Sequence, residues 1–224
     1  MPQSTTQSTS IQKLLSRLCA ALNSDCQIRA SNTHEEGLSD VLNAALVLIG
    51  VRPGARLDLT SYARSKGRCT AWSRSALKRA IAREARRLGV RLAWIDSYEP
   101  LVINLDAVSD EDVRTIRALY VPGMSDLREP LVGAMGRVLG YGCPYVPLTN
   151  RTAGVSLEAR LYCADTGRPQ SSLWLAGFQC SRRSAADARI AAVRHWLAPA
   201  CAALGGCALD YFGRRYVVAG FELT

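Results

Sequence analysis

The residues whose type and spacing best suit a chemical task are arginines. Between Arg52 and Arg91 stand twelve basic residues, at positions 52, 56, 64, 66, 68, 74, 78, 79, 83, 86, 87 and 91. Asp58 and Glu84 alone oppose them, for a net of +10. The whole 224-residue chain carries +9, so everything outside this window sums to −1. A guanidinium presents a planar fork of donors that fits phosphate oxygens and guanine edges. Neutralised phosphates release counterions, the main source of sequence-independent affinity for nucleic acid. Arginine is abundant and lysine scarce along the whole chain. The shortage of acids in this window is therefore more informative than its arginine count.

A second chemistry is nucleophilic. Cys143 sits in Tyr-Gly-Cys-Pro, and a thiol on an exposed turn becomes a nucleophile when a histidine lowers its pKa. His195 is the one histidine in that half of the chain, with Asp165 or Asp210 available to orient it. Nothing in the spacing demands this reading, and a buried Cys beside a turn, with a helix histidine packed or at the surface, is the better account of it. The eight cysteines (19, 26, 69, 143, 163, 180, 201, 207) contain no Cys-x-x-Cys and are accompanied by two histidines, His34 and His195. Structural zinc sites usually bring paired ligands at short spacing, so no metal is expected. No cofactor is implied either, since phosphate-loop, dinucleotide, nucleophile-elbow and metalloprotease motifs are missing. Cys163 and Cys180 end two expected strands and could face each other as a disulfide.

These residues need elements to hold them. Ile11, Leu14, Leu15, Leu18 and Leu22 recur at helical spacing after Ser10, a candidate cap. The spacing predicts a second, nearly all-apolar helix over 40–49, capped by Ser39 and ended by Gly50. A short strand over 56–59 and a one- or two-turn helix over 61–66, capped by Thr60, follow. The basic helix runs over 73–88, with Gly89 past its end as a C-terminal stop. Its inner stripe is Leu77, Ile81, Ala85 and Leu88; Arg79, Arg83 and Arg86 point the other way, flanked by Lys78 and Arg87. Glu84 falls near the stripe centre, so it must pair with Arg87 or Arg91 unless the helix phase is rotated. Strands over 90–95 and 101–105 flank a turn at 96–100. Ser109 opens a further helix with three acids in its first turn, and residues 121–130 look like a linker.

Beyond the linker, a short helix over 131–139 precedes strands over 155–163 and 172–180. A long helix over 184–204 follows, with Ser184 as cap and Pro199 as an interruption. Strands over 209–212 and 215–221 close the chain. Trp174, Phe178, Trp196, Tyr211, Phe212, Tyr216 and Phe221 are the expected aromatic core of this part. The fold class is therefore α+β: a disordered tail over 1–10, a helical basic unit over 11–120, and a ββαββ unit over 131–224.

The order of elements over residues 39–105, namely helix, short strand, short helix, basic helix and two strands, resembles the winged-helix version of the helix-turn-helix fold. That resemblance implies a recognition helix at 73–88 and a wing at 96–100. It implies that Arg79 and Arg83 read base edges while Arg64, Lys66, Arg68, Arg74 and Arg86 contact phosphates, with Lys78 and Arg87 beside them. Asp96 and Glu99 are poorly suited to a wing that meets phosphate. The expected function is non-catalytic binding of DNA or RNA. One alternative is a structural component of a larger protein or nucleoprotein assembly, docking an acidic protein through the same patch. Another is a cysteine-dependent enzyme using Cys143. A homo-oligomer is compatible with each. No stretch reaches the roughly 18–20 apolar residues needed to span a bilayer, and the polar N-terminus lacks the pattern of a secretory signal. An intracellular protein without a membrane partner is expected.

Overall fold

The computed structural model describes residues 5–24, 34–57, 60–65, 68–73, 75–95, 100–120, 130–141 and 152–224, with backbone alone for 5–8, 34–36, 60–65, 68–73, 152 and 171. It is a mixed α+β protein with antiparallel sheets. Two long helices come first, α1 (Thr5–Ser24) and α2 (His34–Leu48). α1 buries the expected stripe of Ile11, Leu14, Leu15, Leu18 and Leu22, and adds Cys19 and Ala21. It begins at Thr5, so Ser10 lies inside the helix and does not cap it. α2 is buried almost all round from Leu38 to Leu48, as a helix without a polar face must be. It too starts earlier than expected, and the Ser39 hydroxyl donates instead to the Trp174 carbonyl at 2.5 Å.

After α2 the chain enters β1 (Gly54–Arg56), then a hairpin of β2 (Thr60–Ser65) and β3 (Arg68–Ser73). The hairpin corrects the helix expected over 61–66. Register runs from Thr60 opposite Ser73 to Ser65 opposite Arg68, leaving Lys66 and Gly67 as the connection. Thr, Tyr and Trp along both strands favour pleated backbone, and a two-residue loop with glycine is a hairpin signal. α3 (Ser75–Leu88), β4 (Leu92–Ile95), β5 (Leu101–Asn104) and α4 (Asp110–Leu119) follow. β1, β5 and β4 form a sheet in that order, β5 central and buried along its whole length. α5 (Leu131–Val138) closes onto it: a Cβ on Gly54 would lie 2.9 Å from Val138 Cγ1 and 3.0 Å from the Val102 and Val138 carbonyl oxygens. Only glycine admits that approach.

The second sheet has the order β7-β6-β9-β8, from β6 (Thr152–Cys163), β7 (Arg168–Ser181), β8 (Ala208–Tyr211) and β9 (Arg214–Leu223). Val155, Leu157, Ala159, Leu161 and Cys163 alternate inward along β6. β7 begins at Arg168, so the turn is shorter than the eight-residue loop expected. The antiparallel pairing sets Cys163 opposite Arg168 and Cys180 opposite Ala153. The two thiols thus stand at opposite ends of the hairpin and both are free, which removes the expected disulfide. Trp174 also departs from expectation: it is 58% exposed, not part of the aromatic core.

Between the two strand pairs runs one continuous helical rod, α6 (Ala185–Ala192), a π turn (Val193–Leu197) and α7 (Ala198–Leu204). Ser181, rather than Ser184, makes the side-chain cap at its start, accepting from the Ser184 N–H at 3.1 Å. The buried row is Ala188, Ala192, Trp196, Ala200 and Leu204, one residue in every four. In an ideal α-helix each step of four drifts about 40°. The wider π turn takes back part of that drift and keeps Trp196 and Leu204 on the core side. It also precedes Pro199, which occupies the first turn of α7 where its missing N–H matters little.

A single contiguous core joins α1, α2, α3, both main sheets and the rod. Residues 1–4 of the expected tail, and 121–129 of the expected linker, lie outside the described residues. The exposed edge of β8 is clamped by α1. Gln12 exchanges two hydrogen bonds with the Ala208 backbone, at 2.9 Å each. Asn23 donates to the Asp210 carbonyl at 3.0 Å and accepts from the Phe212 N–H at 3.2 Å. Two side-chain amides therefore stand in for a missing strand, blocking edge-to-edge pairing.

Candidate nucleic-acid interface

α3 presents the basic surface, and its ends are well defined. Gly89 takes a φ of 72°, its N–H bonds the Arg86 carbonyl at 3.3 Å, and the Val90 N–H bonds the Ala85 carbonyl at 2.9 Å. This is a Schellman closure, which needs the left-handed residue that glycine supplies. Leu77, Ala80, Ile81, Glu84 and Ala85 are buried. Leu88, expected on the inner stripe, is 43% exposed.

Arg79, Arg83 and Arg86 lie on the solvent side, a row at i, i+4 and i+7 about 10 Å long. No described carboxylate pairs with any of the three. Lys78 is half-buried, its Nζ 5.0 Å from the centre of the Trp94 ring on β4, a cation–π contact. Arg87 is exposed but donates to Glu84 Oε1 at 3.1 Å.

Glu84 is therefore buried and paired. Its main partner lies on α1: Arg17 donates to both oxygens, Nε to Oε1 at 2.8 Å and Nη2 to Oε2 at 2.7 Å. The fork fixes how α3 sits on α1 and so which side its free arginines face. Sequence spacing finds Arg87 but has no signal for Arg17, which is 67 residues away.

The other basic residues of the window divide. Arg64 and Arg68 belong to the closed end of the β2–β3 hairpin, where Arg64 is opposite Cys69 and Arg68 opposite Ser65; their side chains are outside the description. Lys66 and Arg74 lie outside the described residues. Arg91 is bound to Asp106 by its backbone N–H to Oδ2 at 3.1 Å and by Nε to Oδ1 at 2.7 Å, and these bonds, the backbone one foremost, hold the Asp106 carboxyl below its usual range. Arg56 stacks 6.0 Å from the Tyr120 ring centre. Arg52 is no part of any surface. It is 2% exposed, packed 4.7 Å from the Trp196 ring centre, and burial lowers its pKa to about 10. Among the described residues the +10 window is thus not one patch: it holds a core arginine, two ion-paired arginines and a row on α3 that no described carboxylate meets.

For the cysteine reading, Cys143 and the wing at 96–99 lie outside the described residues. His195 is exposed on the π turn and has no carboxylate partner among the described residues. Asp165 sits in the β6–β7 turn, 3.9 Å from Cys163 Sγ, and Asp210 in β8. Among the described residues, no three His, Cys, Asp or Glu side chains converge as metal ligands. None of their helices is long and apolar enough to cross a membrane. No protein-family model matches the chain, and no curated protein or solved structure is significantly similar to it.

Proposed function

We propose that this protein binds nucleic acid without catalysis, through the exposed face of α3. The observation that carries the reading is the row of Arg79, Arg83 and Arg86, unpaired among the described residues, on a helix whose orientation is held from below by the Arg17–Glu84 fork. A helix already fixed on its neighbour need not be ordered when its guanidinium groups meet phosphates. The hairpin end that carries Arg64 and Arg68 precedes this helix in the chain, so two further cationic residues belong to the same segment. Phosphate contacts would supply the affinity and Arg79 and Arg83, on the outer face, any base readout.

A winged-helix description of this unit has partial support. The sheet order β1-β5-β4, with α3 entering β4, is the order such a unit needs. The hairpin at 60–73 stands where a helix is required for the helix-turn-helix pair. The proposal therefore rests on the α3 face and not on the family resemblance. Replacing Arg79 and Arg83 together by alanine tests it. Both side chains are exposed, so the melting temperature should stay within a degree or two, while affinity for duplex DNA or single-stranded RNA should fall about tenfold or more. Unchanged affinity in a folded double variant would remove the assignment. Absence of nucleic-acid binding in the parent, with capture of an acidic peptide by α3, would favour the assembly alternative.

A further inference from the structure

The outer side of the α6–α7 rod is apolar where a solvent-facing helix should be polar. Ile190 is 53% and Val193 41% exposed, Ala186, Ala198, Cys201 and Ala202 are exposed, and Leu197 is half-buried. The rod has already used its inner row, Ala188 to Leu204, on the protein's own core. Ala186, Ile190, Val193 and Leu197 recur at i, i+4, i+7 and i+11, which lines them up on one face. Scattered apolar residues on a surface need no explanation, but a continuous row rimmed by polar groups marks a contact surface. Here the rim is basic: Arg182, Arg183, Arg189 and Arg194 are exposed, no described carboxylate pairs with them, and Asp187 is the one acid in the helix.

We propose that this face docks an acidic amphipathic helix of a partner protein. Charge complementarity selects the partner. A second copy laid on the same face would set arginine rows against each other, and like charges in contact disfavour that pairing. The small side chains at 186, 198 and 202 let another helix approach closely. The face offers none of the exposed aromatic or leucine side chains that anchor interfacial helices in lipid. A partner with apolar anchors at i, i+4 and i+7, and Asp or Glu on both sides, fits the row and its rim together. The surface is separate from α3 and independent of the nucleic-acid proposal.

The probe is a labelled synthetic helix of about 18 residues, with leucine at those spacings and glutamate elsewhere, titrated into the full chain. A lysine-for-glutamate version, phosphatidylserine vesicles and sedimentation of the chain alone serve as parallel arms. Saturable binding of the acidic helix is expected, weakened about tenfold or more in Ile190→Ser and in Arg189→Glu, and retained in Arg79→Ala/Arg83→Ala. Several results would each overturn the proposal. They are no binding of the acidic helix, binding that survives both rod variants, binding lost only in the α3 variant, preference for the lysine version, and binding of vesicles alone. A dimer of the chain that Ile190→Ser dissociates would do so equally.

Discussion

At the scale of single residues, Glu84 explains most about the candidate site. A carboxylate buried on the inner stripe of a helix is costly unless cations meet it, and Arg17 and Arg87 do so with three hydrogen bonds. Both arginines keep partial contact with water, so removing the acid does not strand a buried cation. Glu84→Ala is expected to lower stability by about 1–3 kcal/mol, below the usual cost of breaking a fully buried pair. The midpoint and slope of urea unfolding measure it. A loss under about 0.5 kcal/mol would mean that the fork does not hold α3 on α1. The periodicity of α3 placed Glu84 inside and required a cation, and spacing along the helix offered Arg87. Arg17 was illegible because no local pattern links two residues that meet only after α1 folds back onto α3.

At the scale of elements, an ion pair links α4 to α5. Ser109 caps α4 by accepting from the Asp112 N–H at 3.1 Å, and the Asp112 carboxylate receives Arg137 Nε at 3.1 Å and Nη2 at 2.6 Å. Hydrogen bonds from Arg137 pull the Asp112 carboxyl below its ordinary value against the opposing effect of burial. A depressed folded-state pKa stabilises the fold above the unfolded value, near 4, and that stability is lost as pH falls through the folded value. Asp112→Asn should therefore cost about 1 kcal/mol at neutral pH, discounted because Arg137 is largely exposed. The difference from the parent should shrink as pH drops below about 4. Thermal melts of both proteins between neutral and acid pH check this, and a pH-independent gap would contradict it. The cap at Ser109 and the stop at Gly89 are readable in the sequence because each is a local backbone rule, whereas Pro199 does not interrupt the rod because the π turn before it sets it in the first turn of α7. The hairpin at 60–73 differs from the sequence expectation because Thr60 and Ser61 look like a helix start. The Lys66-Gly67 connection and the Thr, Tyr and Trp content carry the opposing signal for a hairpin.

At the scale of the whole molecule, Arg52 ties the parts together. Its guanidinium donates to Asn43 Oδ1 at 2.5 Å, to the Leu139 carbonyl at 3.3 Å and to the Leu175 carbonyl at 3.4 Å, and lies against Trp196. It thereby joins α2, the end of α5, β7 and the π turn. Arg52→Ala leaves these acceptors short of a donor and opens a cavity, so a loss of about 3 kcal/mol is expected. Arg52→Met should lose less, because it loses the same hydrogen bonds but fills much of the cavity. Equal losses in the two variants would show that the lost hydrogen bonds matter and the lost volume does not. The sequence counted Arg52 with the surface charge, since composition carries no information on burial. The surface that remains after Arg52, Arg87 and Arg91 are set aside is smaller, and it sharpens the central claim. The decisive measurement is the affinity of the parent chain for random duplex DNA across a salt series. Contacts to about 4–6 phosphates by the α3 row and its hairpin predict a log–log slope of roughly −4 to −5. A slope near zero, or no binding at low salt, would contradict the assignment of this face to nucleic acid.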